Sequence, residues 1–299
     1  TSGRSELIEK YVNEPGLVNI IRETLGKSLH FSDDLEAIIE GTDAIFMCLP
    51  TPSDIDGSTN LTFYNAAAES IAEILANRRD KRRFVLVNKS TVPIGTARHL
   101  EGIMKAHGVE NFGVASNPEF LREGAAIADF MRPDRVVIGV ESERAELVLR
   151  TIYQPLFLQE TPIVKTDIET AELTKYAANA FLATKISFIN EMSVLCDEIG
   201  ADVVSLAKGI GMDGRIGSKF LHPGPGYGGS CFPKDTLALM RIAQENGQSL
   251  RIVEAAVEAN SAQKAKMVKK IRDCLGGSEA GKTIAVLGLT FKPETDDMR

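Results

Sequence analysis

The sequence has no tryptophan, and its 299 residues include only four cysteines and four histidines. The cysteines are scattered without a CxxC pair, which argues against a disulfide framework and makes a reducing cytoplasm the expected location. The histidines are dispersed without zinc-ligand spacing, so we expect no metal site. No apolar run reaches the length of a membrane span, and the first residues carry no apolar segment of the signal-peptide kind. We therefore expect no membrane partner.

The charge balance is acidic, with a formal net charge of −7 at pH 7. This sign argues against nucleic acid or an anionic membrane as the main partner. The remaining composition, with 43% hydrophobic and 25% charged residues, is that of an ordinary α/β protein. A chain of this length is expected to form about two domains.

Helix and strand patterns alternate between residues 32 and 165. Short apolar segments predict five strands, which are AIFMCLP, RFVLVNKS, FGVAS, RVVIGV and PIVKTD. The segments between them have helical periodicity, which indicates repeated βα units. The predicted fold class is therefore α/β, with a doubly wound parallel sheet in a first domain over residues 1–166.

The beginning of this first domain is unusual. A Rossmann-like domain that binds a dinucleotide opens with a strand, a glycine-rich turn and a helix, and no such unit precedes Glu14. We therefore expect the first βαβ unit to be missing from this sequence. The one GxGxxG match, at 209–214, follows a helix pattern rather than a strand, so we reject it as a phosphate site.

A long helix is predicted to follow. Residues 167–199 contain no glycine or proline, which predicts a helix of about 50 Å that ends at Gly200. Apolar residues cover most of its faces, so we expect it to be the buried spine of a helical domain, or a dimer interface, over residues 167–278. The segment KTIAVLGL then predicts a strand that opens a further domain at 279–299.

The glycine-rich loop at 222–230 is the most informative segment for chemistry. It leads into Cys231, and Pro233, Lys234 and Asp235 then open a helix, so the thiol is expected just before a helix N-terminus. That position, with a lysine nearby, favours the thiolate. The alternative interpretation is a small core cysteine beside a tight turn.

Lys175 and Asn179 form a second candidate group. They are four residues apart and therefore share one face of the long helix. An ammonium and an amide side by side could stabilise a negative oxygen. The alternative is a solvent-facing surface or a salt bridge between Lys175 and Glu172.

The loop SNPEFLREGAA is a third candidate, because it follows a predicted strand at the sheet edge where α/β proteins bind ligands. Its Glu119 and Glu123 could each act as a general base if they are desolvated. Two other strands end in CLPTP and KSTVPIGT, which place Thr51 and Thr91 at the same edge. Helix capping and turn formation could equally explain these residues.

Seven segments occur in the order found in nucleotide-sugar dehydrogenases. They are EPGL, PTP, KSTVPIGT, NPEFLREG, ELTKYAANAF, GGSCFPKD and GLTFKPETDDMR. The chain resembles the UDP-glucose/GDP-mannose dehydrogenase family from about Glu14 to Arg299, and within it the enzymes that act on UDP-glucose most of all. The resemblance implies an NAD-dependent enzyme that oxidises the C6 alcohol of UDP-glucose, or a related nucleotide sugar, to a carboxylate. It also implies a homodimer or a higher homo-oligomer.

By this resemblance, Cys231 is the nucleophile of a thiohemiacetal and then a thioester, a role that agrees with its position. The other catalytic residues implied are Lys175 and Asn179 for oxygen anions, Asp235 for water and proton transfer, Glu123 as base, and Thr91. The substrate-binding residues implied are Glu119, Phe120, Leu121, Arg122, Arg215 (reaching the dimer partner's site), Tyr227, Gly228 and Lys292. The NAD-binding residues implied are Pro50, Thr51, Thr91, Glu123, Lys234 and Arg299.

Four alternatives stay open. The substrate could be GDP-mannose or a UDP-N-acetyl sugar, with the same chemistry. A two-electron β-hydroxyacid dehydrogenase shares the lysine and asparagine spacing but has no use for Cys231. A Cys–His hydrolase would need His222, whose loop setting suggests packing. A non-catalytic dimerisation module would result if both terminal parts are truly absent.

Overall fold

The fold is described from a computed structural model, which covers residues 14–78, 82–157 and 161–299. The strands are β1 (Ala44–Met47), β2 (Phe84–Asn88), β3 (Phe112–Ser116), β4 (Val136–Val140) and β5 (Ile163–Thr166). The helices are α1 (Leu17–Thr24), α2 (Leu35–Ile39), α3 (Thr62–Ala76), α4 (Thr96–Ala106), α5 (Ala126–Met131), α6 (Glu143–Phe157), α7 (Ile168–Ile199), α8 (Val203–Gly211), α9 (Cys231–Glu245) and α10 (Arg251–Cys274). The opening unit that we expected to be missing concerns residues before Glu14, which lie outside the described residues.

The five strands form one sheet in the order β1-β2-β3-β4-β5. All neighbours are parallel except β3 and β4, which are antiparallel and pair Ala115 with Val140 and Ser116 with Gly139. The exception has a local cause. The loop and the short α5 between these strands do not carry the chain back to the end of the sheet at which β3 begins, so β4 runs in the opposite direction. The α/β fold class is confirmed, and the sheet is mixed at this one pairing.

Helices cover both faces of the sheet, as a doubly wound fold requires. Along β2, Phe84 and Leu86 pack into one hydrophobic cluster with α3 and α4, and Val85 and Val87 pack into another with α6. This alternation is the period of two that a strand imposes on its side chains. Each buried side chain of this size stabilises the fold by about 1.5–3 kcal/mol.

The long helix is confirmed as α7, with 32 residues. Asp167 begins it, since its carboxylate accepts a hydrogen bond from the amide of Thr170 at 2.7 Å. Gly200 ends it with a left-handed φ of 74°, and the amide of Ala201 bonds to the carbonyl of Cys196 at 3.0 Å. These contacts explain why the helix stops where the sequence predicts.

The chain divides into two compact units inside α7. The first unit ends at Lys175 and includes Lys292–Asp296, and the second unit comprises Tyr176–Phe291 and Asp297–Arg299. The predicted domain boundary at 166/167 stays a prediction. In the part of the chain that the structure describes, no helix is long and apolar enough to cross a membrane.

The expected strand KTIAVLGL is not formed. Residues 282–289 have no regular structure, and their large apolar side chains, Ile284, Val286, Leu287 and Leu289, are exposed. A strand is stable only when its backbone pairs with a neighbour, and no described strand pairs with this segment. The domain predicted to begin here stays a prediction.

Within the second unit, α7 is buried on one side and apolar on both. Ala180, Ala183, Ile189 and Cys196 are buried, whereas Phe181, Phe188 and Leu195 are 66%, 47% and 49% exposed. The three exposed residues are seven apart and form a stripe along the helix, named here the outer stripe. One side of this helix is therefore buried within the chain, and the prediction that the helix forms a dimer interface stays a prediction for the outer stripe.

Candidate active site

The carboxyl ends of β1 and β2 are tied together in the first unit. The Ser90 hydroxyl donates to the carbonyl of Leu49 at 2.7 Å and accepts from the amide of Leu49 at 2.7 Å. The Thr51 hydroxyl donates to the carbonyl of Thr91 at 2.9 Å. Pro50, Thr51 and Thr91, predicted to bind NAD, therefore lie on two loops at one edge of the sheet.

A half-buried lysine lies at the same edge. The Lys89 ammonium donates to the side-chain carbonyl of Asn117 and to the hydroxyl of Tyr153, both at 3.0 Å. Burial lowers the pKa of Lys89 to about 8, against the opposing effect of the Glu119 carboxylate. Sequence analysis did not select this group, because its three members lie far apart along the chain.

Glu172 holds the loop that carries Thr91. Its buried carboxylate accepts hydrogen bonds from the amides of Gly95 at 2.7 Å and Ala97 at 2.9 Å, at the N-terminus of α4. Burial raises the pKa of Glu172 to about 7, although the two amides favour its charged form. The alternative salt bridge between Glu172 and Lys175 is not formed.

Lys175 instead pairs with Glu119. Its ammonium lies 3.0 Å from one carboxylate oxygen, and the other accepts from the amide of Leu121 at 2.5 Å. The Lys175 side chain is 4% exposed and that of Glu119 is 29% exposed, so this is a largely buried ion pair. Both oxygens of Glu119 are engaged, so a proton acceptor role for Glu119 would require it to exchange one of these donors.

The predicted substrate loop is held by charged groups. The Arg122 guanidinium and amide bind the carboxylate of Asp129 at 2.6–2.9 Å, and the guanidinium holds the pKa of Asp129 below its usual range. The guanidinium of Arg135 lies over the Phe120 ring, 3.7 Å from its centre. Carboxylates occupy the amide N–H groups of Leu121 and Arg122, so these two donors are not available to a sugar nucleotide in this conformation.

The 292–296 segment packs against the loop that carries Glu123. The Thr295 hydroxyl donates to the Glu123 carboxylate at 3.0 Å. Gly124 has a φ of 78°, and a Cβ there would lie 2.5 Å from the carbonyl oxygen of Glu294, so only glycine permits this approach. The charge of Lys292 also contributes to the low pKa of Asp129. The structure therefore brings Lys292 to the predicted substrate loop.

Glu14 supports the same loop from the other side. Its carboxylate accepts from the amides of Gly124 at 2.9 Å and Ala126 at 2.7 Å. Sequence analysis used Glu14 only as part of the EPGL motif. Glu14 and Gly124 are 110 residues apart, so nothing in the local sequence around Glu14 indicates this contact.

In the second unit, Cys231 is the first residue of α9 rather than the residue before it. Ser230 is the N-cap, and its hydroxyl lies 3.6 Å from the Cys231 sulfur. The thiol is exposed. Pro233 lies in the first turn, where a missing backbone N–H has no helical partner to lose. Cys231 therefore lies at a helix N-terminus, one residue later than predicted, and its role as the nucleophile stays a prediction.

Asp235 lies one turn after Cys231 and is buried. Its Oδ2 accepts from the Asn179 amide at 2.6 Å. Its Oδ1 lies 2.8 Å from the Lys234 ammonium, but the two atoms are not aligned as a hydrogen bond. Lys234, predicted to bind an NAD phosphate, is thus an ion-pair partner of Asp235 here. Asp235 Oδ1 accepts no aligned hydrogen bond from the described residues, so it can still accept one.

Buried amide side chains hold the glycine-rich loop. Asn260 accepts from the amide of Tyr227 at 2.7 Å and donates to its carbonyl at 3.1 Å. Gly224 is held in the same way. Its amide donates to the side-chain oxygen of Asn190, and its carbonyl accepts from the side-chain amide of Gln263, both at 2.8 Å. These bonds satisfy the backbone polar groups of a loop that forms no sheet or helix.

Tyr227 and its neighbours are packed rather than open. The Tyr227 ring is buried and meets Phe232 edge-on at 6.0 Å, and burial raises the pKa of Tyr227. A Cβ on Gly228 would lie 3.4 Å from the carbonyl oxygen of Arg299. Of these two predicted substrate residues, Tyr227 belongs to the core in this conformation.

The remaining predicted residues are arginines. Arg215 is exposed and binds the carboxylate of Asp213, with its closest contact at 2.6 Å, which raises the pKa of Arg215. Arg299 binds the carboxylate of Asp297 at 2.9 Å. Each guanidinium is therefore already paired with a carboxylate, and a phosphate or a sugar would have to compete with it.

Comparison with known families matches both parts of the chain. A model described as the NAD binding domain of the UDP-glucose/GDP-mannose dehydrogenase family matches residues 6–157, and one for its central domain matches 169–262. The chain belongs to this family. NAD is the cofactor, since residues 6–157 match the NAD binding domain, and the tied loops after β1 and β2 present hydroxyl and backbone groups at the sheet edge.

Curated relatives include UDP-glucose 6-dehydrogenase of Rhizobium meliloti (strain 1021), which is 50% identical over 96% of this chain and 65% of the relative. TuaD of Bacillus subtilis (strain 168), also a UDP-glucose 6-dehydrogenase, is 45% identical over 96% of this chain and 61% of the relative. The chain thus spans less than two thirds of the length of these relatives.

Solved structures agree with this assignment. The UDP-glucose dehydrogenase of Pyrobaculum islandicum is 38% identical with a TM-score of 0.89, over 100% of this chain and 69% of that one. The GDP-mannose dehydrogenase of Pseudomonas aeruginosa is 31% identical with a TM-score of 0.65, over the same shares of the two chains.

Proposed function

We propose that the protein oxidises the C6 alcohol of UDP-glucose to the carboxylate of UDP-glucuronate, with two NAD reduced per sugar. The relatives named UDP-glucose 6-dehydrogenase support the substrate. The covalent chemistry is supported above all by one observation. Cys231 begins α9, and one turn later a buried carboxylate, Asp235, keeps an oxygen that accepts no aligned hydrogen bond from the described residues.

The first oxidation needs a base and a positive partner for oxygen. NAD, when bound, supplies the hydride acceptor in each of the two oxidations. Glu123 takes the proton of the C6 hydroxyl, which leaves an aldehyde after the first hydride departs. Lys175 stabilises the negative charge that develops on the C6 oxygen. For this role its ammonium leaves the Glu119 carboxylate and binds the substrate oxygen instead.

The second oxidation needs a covalent link. The Cys231 thiolate adds to the aldehyde carbon, and the resulting thiohemiacetal loses the second hydride to become a thioester. Asn179 stabilises the oxygen anion of this adduct. Asp235 orients a water through its Oδ1 and takes a proton from it, so that the water attacks the thioester carbon. The thiolate then leaves, and the product carboxylate forms.

Counting the NADH formed per sugar tests this scheme. The full-length protein is incubated with NAD and, in parallel, with UDP-glucose, GDP-mannose or UDP-N-acetylmannosamine. We expect two NADH per UDP-glucose and slower turnover with the other sugars. One NADH per sugar would contradict the four-electron reaction, and faster turnover of GDP-mannose would contradict the substrate.

Replacing the thiol tests the nucleophile. Cys231→Ser is expected to lower multiple turnover by about 1000-fold or more, because an alkoxide is harder to form and a poorer leaving group than a thiolate. Cys274→Ser is the matched control, since that thiol is also exposed and lies at the last residue of α10. Full turnover by the Cys231 variant would exclude the covalent step.

A second copy of the chain is the proposed partner. The outer stripe of α7 exposes three large apolar side chains at a spacing of seven residues, and contiguous apolar surface of this kind marks interfaces. Covering it with an identical stripe buries both at once. Light scattering of the purified full-length protein is expected to give at least twice the mass of one chain, and a monomer at every concentration would exclude this interface.

A further inference from the structure

Asp297 lies beside the loop that leads into Cys231. Its Oδ2 accepts from the amide of Ser230 at 3.1 Å, and its Oδ1 accepts from the amide and the guanidinium of Arg299, both at 2.9 Å. Ser230 is the N-cap of α9 and directly precedes the thiol. One buried carboxylate thus joins the residue before Cys231 to Arg299.

The backbone around Asp297 makes a second connection to the same loop. The amide of Gly229 donates to the carbonyl of Arg299 at 2.6 Å, and the amide of Phe291 donates to the carbonyl of Asp297 at 3.0 Å. Gly229 has a φ of 74°, and a Cβ there would lie 2.8 Å from the Phe291 ring. Within the second unit, the 297–299 segment is therefore bonded to Gly229, and the Phe291 ring leaves no room for a side chain at that position.

The hydrogen-bond donors around Asp297 favour its charged form. Its side chain is only 5% exposed. The hydrogen bond from Arg299 is the main reason that the pKa of Asp297 is below its usual range, and the Ser230 amide adds to this effect. Through its hydrogen bond to the Ser230 amide, Asp297 holds the residue that directly precedes the thiol and fixes the direction in which α9 begins.

We propose that Asp297 is a positioning residue for Cys231. It holds the Ser230 amide, and thereby the first turn of α9, in the conformation that presents the thiol. It also keeps Arg299 paired beside this turn. The nucleophilic role of Cys231 rests on the proposed function, but the control of the thiol by Asp297 can be measured without any turnover.

Labelling of Cys231 is the primary test. The full-length protein is treated with iodoacetamide between pH 6 and pH 10, without NAD or sugar, and labelling of the Cys231 peptide is followed by mass spectrometry. Asp297→Asn is expected to move the midpoint of labelling to lower pH by roughly half a unit or more, since it removes a nearby negative charge. It is also expected to lower kcat about 10- to 100-fold with little change in KM, since the thiol is less well placed.

Asp296→Asn is the matched control. It removes the same charge from the neighbouring, exposed residue and is expected to leave both the labelling profile and kcat unchanged. A purely structural role for Asp297 predicts a lower unfolding temperature with the labelling profile of the control. That result would overturn the proposal.

A charge-conserving variant covers the case in which Asp297→Asn does not fold. Asp297→Glu keeps the charge but moves the carboxylate by one methylene, so the labelling midpoint should stay near wild type while kcat falls about threefold or more. Wild-type kcat in this variant would overturn the positioning role. Failure of the proposed function would be recognised separately. Full turnover by Cys231→Ser would contradict the nucleophilic role, whereas the labelling of Cys231 in the Asp297 variants does not depend on turnover.

Discussion

Two carboxylates among the predicted site residues, one in each compact unit, are held in opposite ways. Glu119, in the first unit, has both oxygens engaged by aligned donors, one of which is the charged Lys175. Asp235, in the second unit, has one oxygen bonded to the neutral amide of Asn179, and the other lies against Lys234 without alignment. The first carboxylate is saturated, and the second keeps a site for a further donor.

The difference separates a carboxylate that orients its ion-pair partner from one that can still bind a water molecule. A saturated carboxylate in an ion pair mainly orients its partner, because any new donor must displace an existing one. A buried carboxylate with an oxygen available can bind a water and accept its proton. The comparison predicts that the second pair is the more sensitive to loss of its partner, because Asp235 is the more deeply buried of the two.

Asn179→Leu is expected to have the largest effect. It keeps the side-chain volume but leaves Asp235 Oδ2 buried without its donor, which should lower the free energy of unfolding by about 3 kcal/mol. Urea unfolding at pH 7 measures the change. Asn19→Leu, at an exposed position in α1, is the control and should change stability by less than about 0.5 kcal/mol. Equal effects of the two variants would contradict the importance of this hydrogen bond.

Glu172 provides a pH test within the first unit. Its pKa rises from 4.5 to about 7 on folding, so its contribution to stability is fully present below pH 4.5 and is lost as pH rises through 7. The wild-type protein should lose up to about 3 kcal/mol of unfolding free energy over this window relative to Glu172→Gln, whose side chain does not titrate. Parallel stability curves for the two proteins would show that Glu172 stays charged throughout.

Lys175→Met is expected to have the smallest effect on stability. Glu119 loses its partner, but because it is 29% exposed it can recover hydration, so the cost should be about 1–2 kcal/mol. The double variant Lys175→Met/Glu119→Gln should recover part of this loss, and a double-mutant cycle measures the coupling. A loss as large as that of Asn179→Leu would remove the distinction between the two pairs.

Local features of the site could be predicted from the sequence. The loop and the helix start around Cys231 follow from glycines and a proline, whose effects act on the nearest residues. The length of α7 follows from the absence of helix breakers and from Gly200. The strands of the sheet follow from short apolar segments, and β2 and β4 are buried along their whole length.

Pairings between distant residues could not be predicted in the same way. Lys175 and Glu119 are 56 residues apart, and Ser230 and Asp297 are 67 apart. Nothing in the local pattern of either segment selects its partner. The segment 282–289 shows the converse error, because its strand-like composition forms no strand without a neighbour to pair with.

The amide of Asn260 gives the glycine-rich loop a chemical weakness. Asparagine and glutamine are among the residues that degrade on prolonged heating, by conversion of the amide to a carboxylate. At Asn260 this conversion would replace the donor to the Tyr227 carbonyl with a negatively charged oxygen, which repels it. A stored or heated sample would then lose the conformation of the glycine-rich loop even while its thiol stayed reduced. Loss of activity on storage is therefore expected from deamidation as well as from oxidation of the cysteine.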